Sequence, residues 1–182
     1  LMNGKTLYTL DRLGTLSAGA RIEHQTACCS IELQEHVANR FWSQVSRHGN
    51  NYFFNHNINL LKSKENMSIF MEMLLEERRR ANFPDKPSRF RSLFACEAIH
   101  DAARFRLLSH VPSNTAIYEV HQTAGCHRAD MNLLNVNCTP PEMSHRLDLY
   151  WQGKTKELYP GYEPFWEVLV PLPAIIGGRI QE

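Results

Sequence analysis

Strand-like and helix-like stretches follow one another along this chain in the order β, α, α, β, α, β, β, α, β, β, and no other feature restricts the fold as much. Helices that interrupt strands without regular βαβ alternation indicate an α+β fold with mostly antiparallel pairing. Strands are expected at Lys5–Arg12, Ser88–Cys96, Thr115–His121, Arg128–Val136, Trp166–Leu172 and Ala174–Ile180, where residues alternate or apolar runs are bounded by turns. Leu33, Val37, Phe41, Trp42 and Val45 recur at helical spacing and predict a helix over Ile31–Val45, closed by Gly49-Asn50-Asn51. A second helix spans Asn66–Arg80, with Met67, Phe70, Met71, Leu74 and Leu75 as its core stripe. Glu76-Glu77-Arg78-Arg79-Arg80 reads as its solvated end, and Phe83-Pro-Asp-Lys-Pro87 cannot continue it. Glu97–Leu108 carries Ala98, Ala102, Phe105 and Leu108 on one helical face. Thr139-Pro-Pro-Glu142 resembles a cap for a last helix reaching Trp151.

At 182 residues the chain is long enough for one domain with a sizeable core, and 1–182 is read as a single domain. An apolar share of 43% with 21% charged residues is that of an ordinary globular protein. Twenty Lys+Arg against nineteen Asp+Glu leave a charge of +1, so no global field argues for nucleic acid or an anionic membrane. The five cysteines (Cys28, Cys29, Cys96, Cys126, Cys138) show no CxxC spacing, which fits free thiols better than a disulfide framework or structural zinc. Cys126-His127 with His121 is the one metal candidate, and it lacks a second close pair. No apolar run approaches a membrane span, and the first dozen residues carry charge in place of a signal-peptide core. The expected location is cytoplasmic or, by translocation, inside a host or target cell.

Three stretches carry candidate chemistry. Tyr8-Thr-Leu-Asp-Arg12 ends a first strand with a guanidinium. Ser88-Arg-Phe-Arg-Ser92 alternates hydroxyls and guanidiniums, whose planar forks suit phosphate. Pro164-Phe-Trp-Glu-Val-Leu-Val-Pro171 sets one acid, Glu167, inside an apolar strand, where an unpaired carboxylate is expensive to bury. Each alone reads more readily as an exposed strand or a surface charge than as a site.

A basic residue on the first strand, a serine-bearing strand before a helix and a late glutamate, in that order, resemble the ADP-ribosyltransferase-like superfamily. The pieces L-Y-T-L-D-R, S-R-F-R-S-L-F-A-C-E-A, I-Y-E-V, D-L-Y-W-Q-G and W-E-V-L-V-P are similar to a bacterial family with these Arg…Ser…Glu elements. The resemblance implies a split, mostly antiparallel sheet with inserted helices, and NAD as substrate with no metal. It implies an NAD-dependent transferase (a glycosyltransferase acting on an unknown protein, nucleic-acid or small-molecule acceptor) or an NAD glycohydrolase, serving as a toxin, an effector or a housekeeping protein. Arg12 would contact NAD phosphate or ribose, and Arg91 would reach pyrophosphate from the strand that Ser88 and Ser92 bracket. Tyr8, Phe94 and Tyr150 would wall the nicotinamide, and catalytic Glu167 would stabilise the oxocarbenium-like charge. Two departures matter. Ser88 and Ser92 are not spaced as Ser-x-Ser, and Phe165 stands where arginine-modifying toxins carry an acid or amide, with Glu163 too far along to replace it.

Three other readings compete. One is a non-catalytic nucleotide- or phosphate-binding module using Arg12, Arg89 and Arg91. Another is RNA 2′-phosphate transfer, which the near-neutral charge does not favour. The last is a histidine enzyme drawing on His100, His110, His121, His127 or His145 with Asp101, Asp130 or Asp148, or on Cys96 with His100.

Overall fold

The computed structural model describes residues 4–27, 29–40, 43–54, 66–109, 111–121 and 125–181, leaving aside the side chains at 38, 40 and 66–68. Cys28, Phe41, Trp42 and His110, and the side chain of Met67, lie outside the described residues.

The fold is α+β with antiparallel pairing between neighbouring strands. One four-stranded sheet joins β1 (Thr6–Leu10), β6 (Ile117–His121), β9 (Ala174–Arg179) and β2 (Arg21–Ile22), in the order β1-β6-β9-β2. A three-stranded sheet has β8 (Trp166–Pro171) between β5 (Ser92–Ala95) and β7 (His127–Asp130). The sheets meet where Tyr8 and Cys96 exchange backbone hydrogen bonds of 2.9 and 2.7 Å. That bridge brings the first strand beside the strand that pairs with β8. β3 (Gln25–Thr26) and β4 (Gln44–Val45) form a small separate ladder.

Five α-helices are described: α1 (Ile31–Arg40), α2 (Arg47–Tyr52), α3 (Asn66–Asn82), α4 (Ile99–Leu108) and α5 (Pro140–Gln152). None of the described helices is long and apolar enough to cross a membrane. Leu7, Val120, Val168, Val170 and Ile176 fill a core shared by the two larger sheets. Met71, Leu75, Leu147, Tyr150, Trp151 and Leu169 fill a second core between α3, α5 and the other face of β8. β8 is thus a central strand covered on both faces, which is why four consecutive residues of it, Glu167 to Val170, are buried.

Several expectations need correction. Val45 lies in a strand, and Gly49-Asn50-Asn51 sits inside α2 instead of ending a long helix. A Cβ on Gly49 would lie 2.5 Å from the Phe90 carbonyl oxygen and 2.9 Å from Val45 Cβ, so the glycine is there for close approach. Residues Arg89–Arg91 form a 3₁₀ turn and only Ser92–Ala95 extends, because the Ser88 hydroxyl accepts from Phe90 N at 3.1 Å and starts a turn. Likewise Met131–Leu134 is a 3₁₀ turn begun by Asp130, which shortens the strand expected to reach Val136. α3 buries Met71 and Leu75 but exposes Phe70 and Leu74. Its inward face holds Glu72, Glu76 and Arg79 instead, so the run from Glu76 is not a solvated end throughout. Glu76 accepts from Arg79 at 2.8 Å and from the Ser88 hydroxyl at 2.8 Å, while Arg79 also donates to the carbonyls of Pro84 and Lys86. α5 forms where Thr139-Pro-Pro-Glu142 places it, with Thr139 accepting from Glu142 N, and Gly153 in a left-handed conformation (φ 69°) ends it.

Candidate functional site

Alternation along β8 turns Val168 and Val170 to one core and Leu169 to the other, and Glu167 shares the Leu169 face. That face meets Tyr150 of α5, whose hydroxyl donates to Glu167 Oε1 at 2.7 Å. The Arg89 guanidinium, in the turn before β5, donates to the same Oε1 and to the Tyr150 oxygen. Its Nε and Nη2 donate in parallel to the two oxygens of Glu72 on α3, at 2.7 and 2.8 Å. One buried guanidinium therefore faces two buried carboxylates. His48 Nε2 on α2 stands 3.2 Å from Glu72 Oε1, and the Phe94 ring lies 4.6 Å from the Arg89 guanidinium carbon. Glu167 Oε2 has no partner among the described residues.

The electrostatics are mutually supporting. Burial alone would push the Glu72 carboxyl up, but Arg89 and then His48 outweigh it and hold it well below the usual carboxylate range. Burial likewise pulls Arg89 down, and Glu167, Glu72 and Tyr150 more than reverse that, so the guanidinium stays charged. Burial pushes the Tyr150 phenol up, and neighbouring Glu167 adds to it, so Tyr150 remains a donor.

A cavity of about 930 Å³ opens along this network. Of the residues singled out from sequence, Tyr8, Arg12, Arg89, Ser92, Phe94, Cys96 and Glu167 line it. Arg12 also lines a neighbouring cavity of about 420 Å³ with Asp11 and Arg179, and makes no ion pair among the described residues. The Asp11 carboxylate fixes the adjoining turn by accepting from Thr15 N at 2.9 Å and Leu16 N at 3.1 Å. Ser88, Arg91 and Tyr150 are not in the lining. Ser88 spends its hydroxyl on Glu76, and Tyr150 is wholly buried behind Glu167. Ser92 faces the cavity wall, with its hydroxyl donating to the Ser88 carbonyl at 2.8 Å. Arg89, offered above as a phosphate ligand, is committed to its carboxylates.

Other candidates are accounted for locally. Cys96 is buried, and burial first, then Asp101 and Glu167, pushes its thiol up to about 12, which removes the thiolate a nucleophile needs. Its supposed partner His100 is exposed on α4 beside Asp101 at 3.4 Å. His127 Nε2 donates to the Tyr150 carbonyl at 3.0 Å, and the ring stacks on Trp151. Asp130 holds the approach to β8: it accepts from Thr155, Tyr162, Asn132 N and Phe165 N. Among the described residues no three His, Cys, Asp or Glu side chains are grouped to hold a metal ion.

Sequence reading missed Glu72 and His48, and it missed the structural role of Arg89. The one available signal was that Glu72, Glu76 and Arg79 share a helical face with Met71 and Leu75. Residues 18–171 of the chain match the family described as Protein of unknown function (DUF2441). No curated protein matches it.

Proposed function

The chain belongs to the DUF2441 family, and from the geometry of its cleft we propose that it cleaves NAD at the nicotinamide–ribose bond, transferring ADP-ribose to an acceptor or to water. One observation carries this reading. Glu167 is held by Arg89 and Tyr150 through a single oxygen, leaving Oε2 as an acceptor on the wall of a cavity that also holds Arg12, Tyr8 and Phe94. A fixed carboxylate in a poorly hydrated pocket stabilises positive charge developing on a ribose far better than one in water. Oε2 accepts a hydrogen bond from a ribose hydroxyl of bound NAD, and nicotinamide departs with the electron pair of the C1′–N bond. Arg12, between the two cavities and free of any described carboxylate, meets the pyrophosphate. The aromatic rings of Tyr8 and Phe94 flank the leaving base. Two antiparallel sheets that meet at the Tyr8–Cys96 bridge, with helices inserted before β5, support the reading, an arrangement that resembles the split ADP-ribosyltransferase sheet.

Nicotinamide release by purified protein tests it. Glu167→Gln, whose amide oxygen still accepts from Arg89 and Tyr150, is expected to lower turnover about 10²–10³-fold with little change in NAD affinity. A wild-type protein that neither binds nor consumes NAD overturns the proposal. Arg12, without a carboxylate partner among the described residues, also favours a second reading, a nucleotide-binding module without the chemistry. In that case NAD or ADP-ribose binds without turnover, survives Glu167→Gln and is lost in Arg12→Ala.

A further inference from the structure

His48 lines the same cavity and has no part in the reading above. Its ring is held on several sides: Tyr52 stacks on it at 4.5 Å, Phe94 leans against it at 4.7 Å, and Phe90 lies beyond at 6.2 Å. Gly49 lets its helix seat directly on the Phe90 backbone, and Ser46 at the helix start donates to the Phe90 carbonyl at 3.0 Å. Nε2 is buried and within 3.2 Å of Glu72 Oε1, although not in hydrogen-bond alignment with it. Nδ1 bonds to no described residue and is not among the sealed, unpartnered atoms. The two Glu72 oxygens are themselves fixed by Arg89. An ionised carboxylate only accepts, so Nε2 is the nitrogen suited to carry a proton towards Glu72, and Nδ1 is the one whose lone pair can serve a ligand. This is the disposition of a base: a ring held by aromatic packing, one nitrogen facing an acid and the other available to a ligand. Glu72 ties His48 to Arg89 and so to Glu167, placing both ends of the network on one cavity.

We propose that His48 is the general base for a hydroxyl acceptor, water or an alcohol, in the ADP-ribosyl transfer put forward above, on which this inference rests. As the C1′–N bond breaks and nicotinamide leaves neutral with its electron pair, the acceptor oxygen forms the new bond to C1′. The hydroxyl proton passes to His48 Nδ1, and the imidazolium so formed sits beside the Glu72 carboxylate. A hydroxyl becomes strongly acidic as its oxygen bonds to C1′, so a neutral imidazole suffices to take its proton. A guanidinium acceptor, which stays protonated above pH 12, asks for a stronger base than this ring.

The test uses NAD with three nucleophiles, water, methanol and azide, on the wild type, His48→Phe, His48→Ala and Glu167→Gln. His48→Phe keeps an aromatic ring in the stack, and melting curves identify any variant that fails to fold. Wild type is expected to release nicotinamide, with ADP-ribose or its methyl glycoside as product. Both His48 variants are expected to lose about 10²-fold in turnover, with the KM for NAD within about threefold. Azide attacks without losing a proton, so it restores turnover in His48→Ala with ADP-ribosyl azide as product, and leaves Glu167→Gln slow. Undiminished turnover in folded His48 variants, or loss that azide does not restore, overturns the role of His48 while leaving NAD cleavage standing. Wild-type protein inert towards NAD overturns both.

Discussion

At the scale of single residues, Arg89 decides more than any other side chain. It is buried, and it supplies hydrogen bonds to Glu72, Glu167 and Tyr150 together. Two carboxylates lose their water on folding, and among the described residues this guanidinium and the Tyr150 hydroxyl replace it for Glu167. Arg89→Met is therefore expected to destabilise the protein by about 3–5 kcal/mol, measured by urea unfolding, because it removes the guanidinium that two buried carboxylates share. Adding Glu72→Gln and Glu167→Gln to the same variant is expected to recover part of that loss, a non-additivity that a triple-mutant cycle over the three sites reads directly. The sequence showed Arg89 only as one of two alternating guanidiniums in Ser88-Arg-Phe-Arg-Ser92, indistinguishable there from Arg91. Which of the two turns inward depends on the 3₁₀ turn set by the Ser88 hydroxyl, and Ser88 is fixed in turn by Glu76 from a different helix.

At the scale of elements, α2 and α3 are where pattern and structure part. α2 has only six residues and no apolar stripe of its own, and its place is set by a contact instead of a propensity. Gly49 is that contact. Gly49→Ala is expected to cost about 1–3 kcal/mol and to shift α2, because its Cβ would fall 2.5 Å from a backbone oxygen that has no rotamer to yield. If His48 is the base proposed above, the shift carries it with α2 and lowers NAD turnover of the folded protein, whereas a purely stabilising glycine would leave the activity of the folded fraction unchanged. α3 was legible as a helix from its apolar period, yet its orientation was not. Five apolar residues offered a stripe, and the molecule buried Met71 and Leu75 of them while exposing Phe70 and Leu74. The rotation brings Glu72 and Glu76 inward, where Arg89, Arg79 and Ser88 offset their desolvation. Periodicity scores apolar gain and cannot see charges whose partners lie 12 and 17 residues on. By contrast α5 carried its own start and stop signals, Thr139-Pro-Pro-Glu142 and Gly153, and both acted locally as caps.

For the whole molecule, burial of ionisable groups in the α5 core links stability to pH. His127 is buried between Tyr150 and Trp151, and burial holds its ring down to about 4 from 6.5, Lys86 adding to the effect and the Tyr150 carbonyl opposing it. Between those values the unfolded chain binds the proton and the folded protein does not, so stability is complete above pH 6.5 and falls as the pH drops towards 4. The expected loss is on the order of 2–3 kcal/mol, read as a falling unfolding free energy, and His127→Gln is expected to flatten the curve in that window. Glu72, depressed in the fold, adds its own loss only below about 4.5, where the unfolded chain begins to protonate. By itself the sequence determined the α+β class, the positions of the long strands and of α3, α4 and α5, and the oddity of one acid inside Phe165-Trp-Glu-Val-Leu-Val170. These follow from period, caps and proline or glycine stops, which are properties of neighbours along the chain. Only the tertiary structure decided what that acid does. β8 proved central and covered on both faces, so Glu167 is buried, and its charge is held by Arg89 and Tyr150 from two other elements while Oε2 is left to the cavity. The physical reason is range: local sequence encodes torsions and apolar faces, whereas the desolvation of a charge is settled by whichever partners the packed fold delivers.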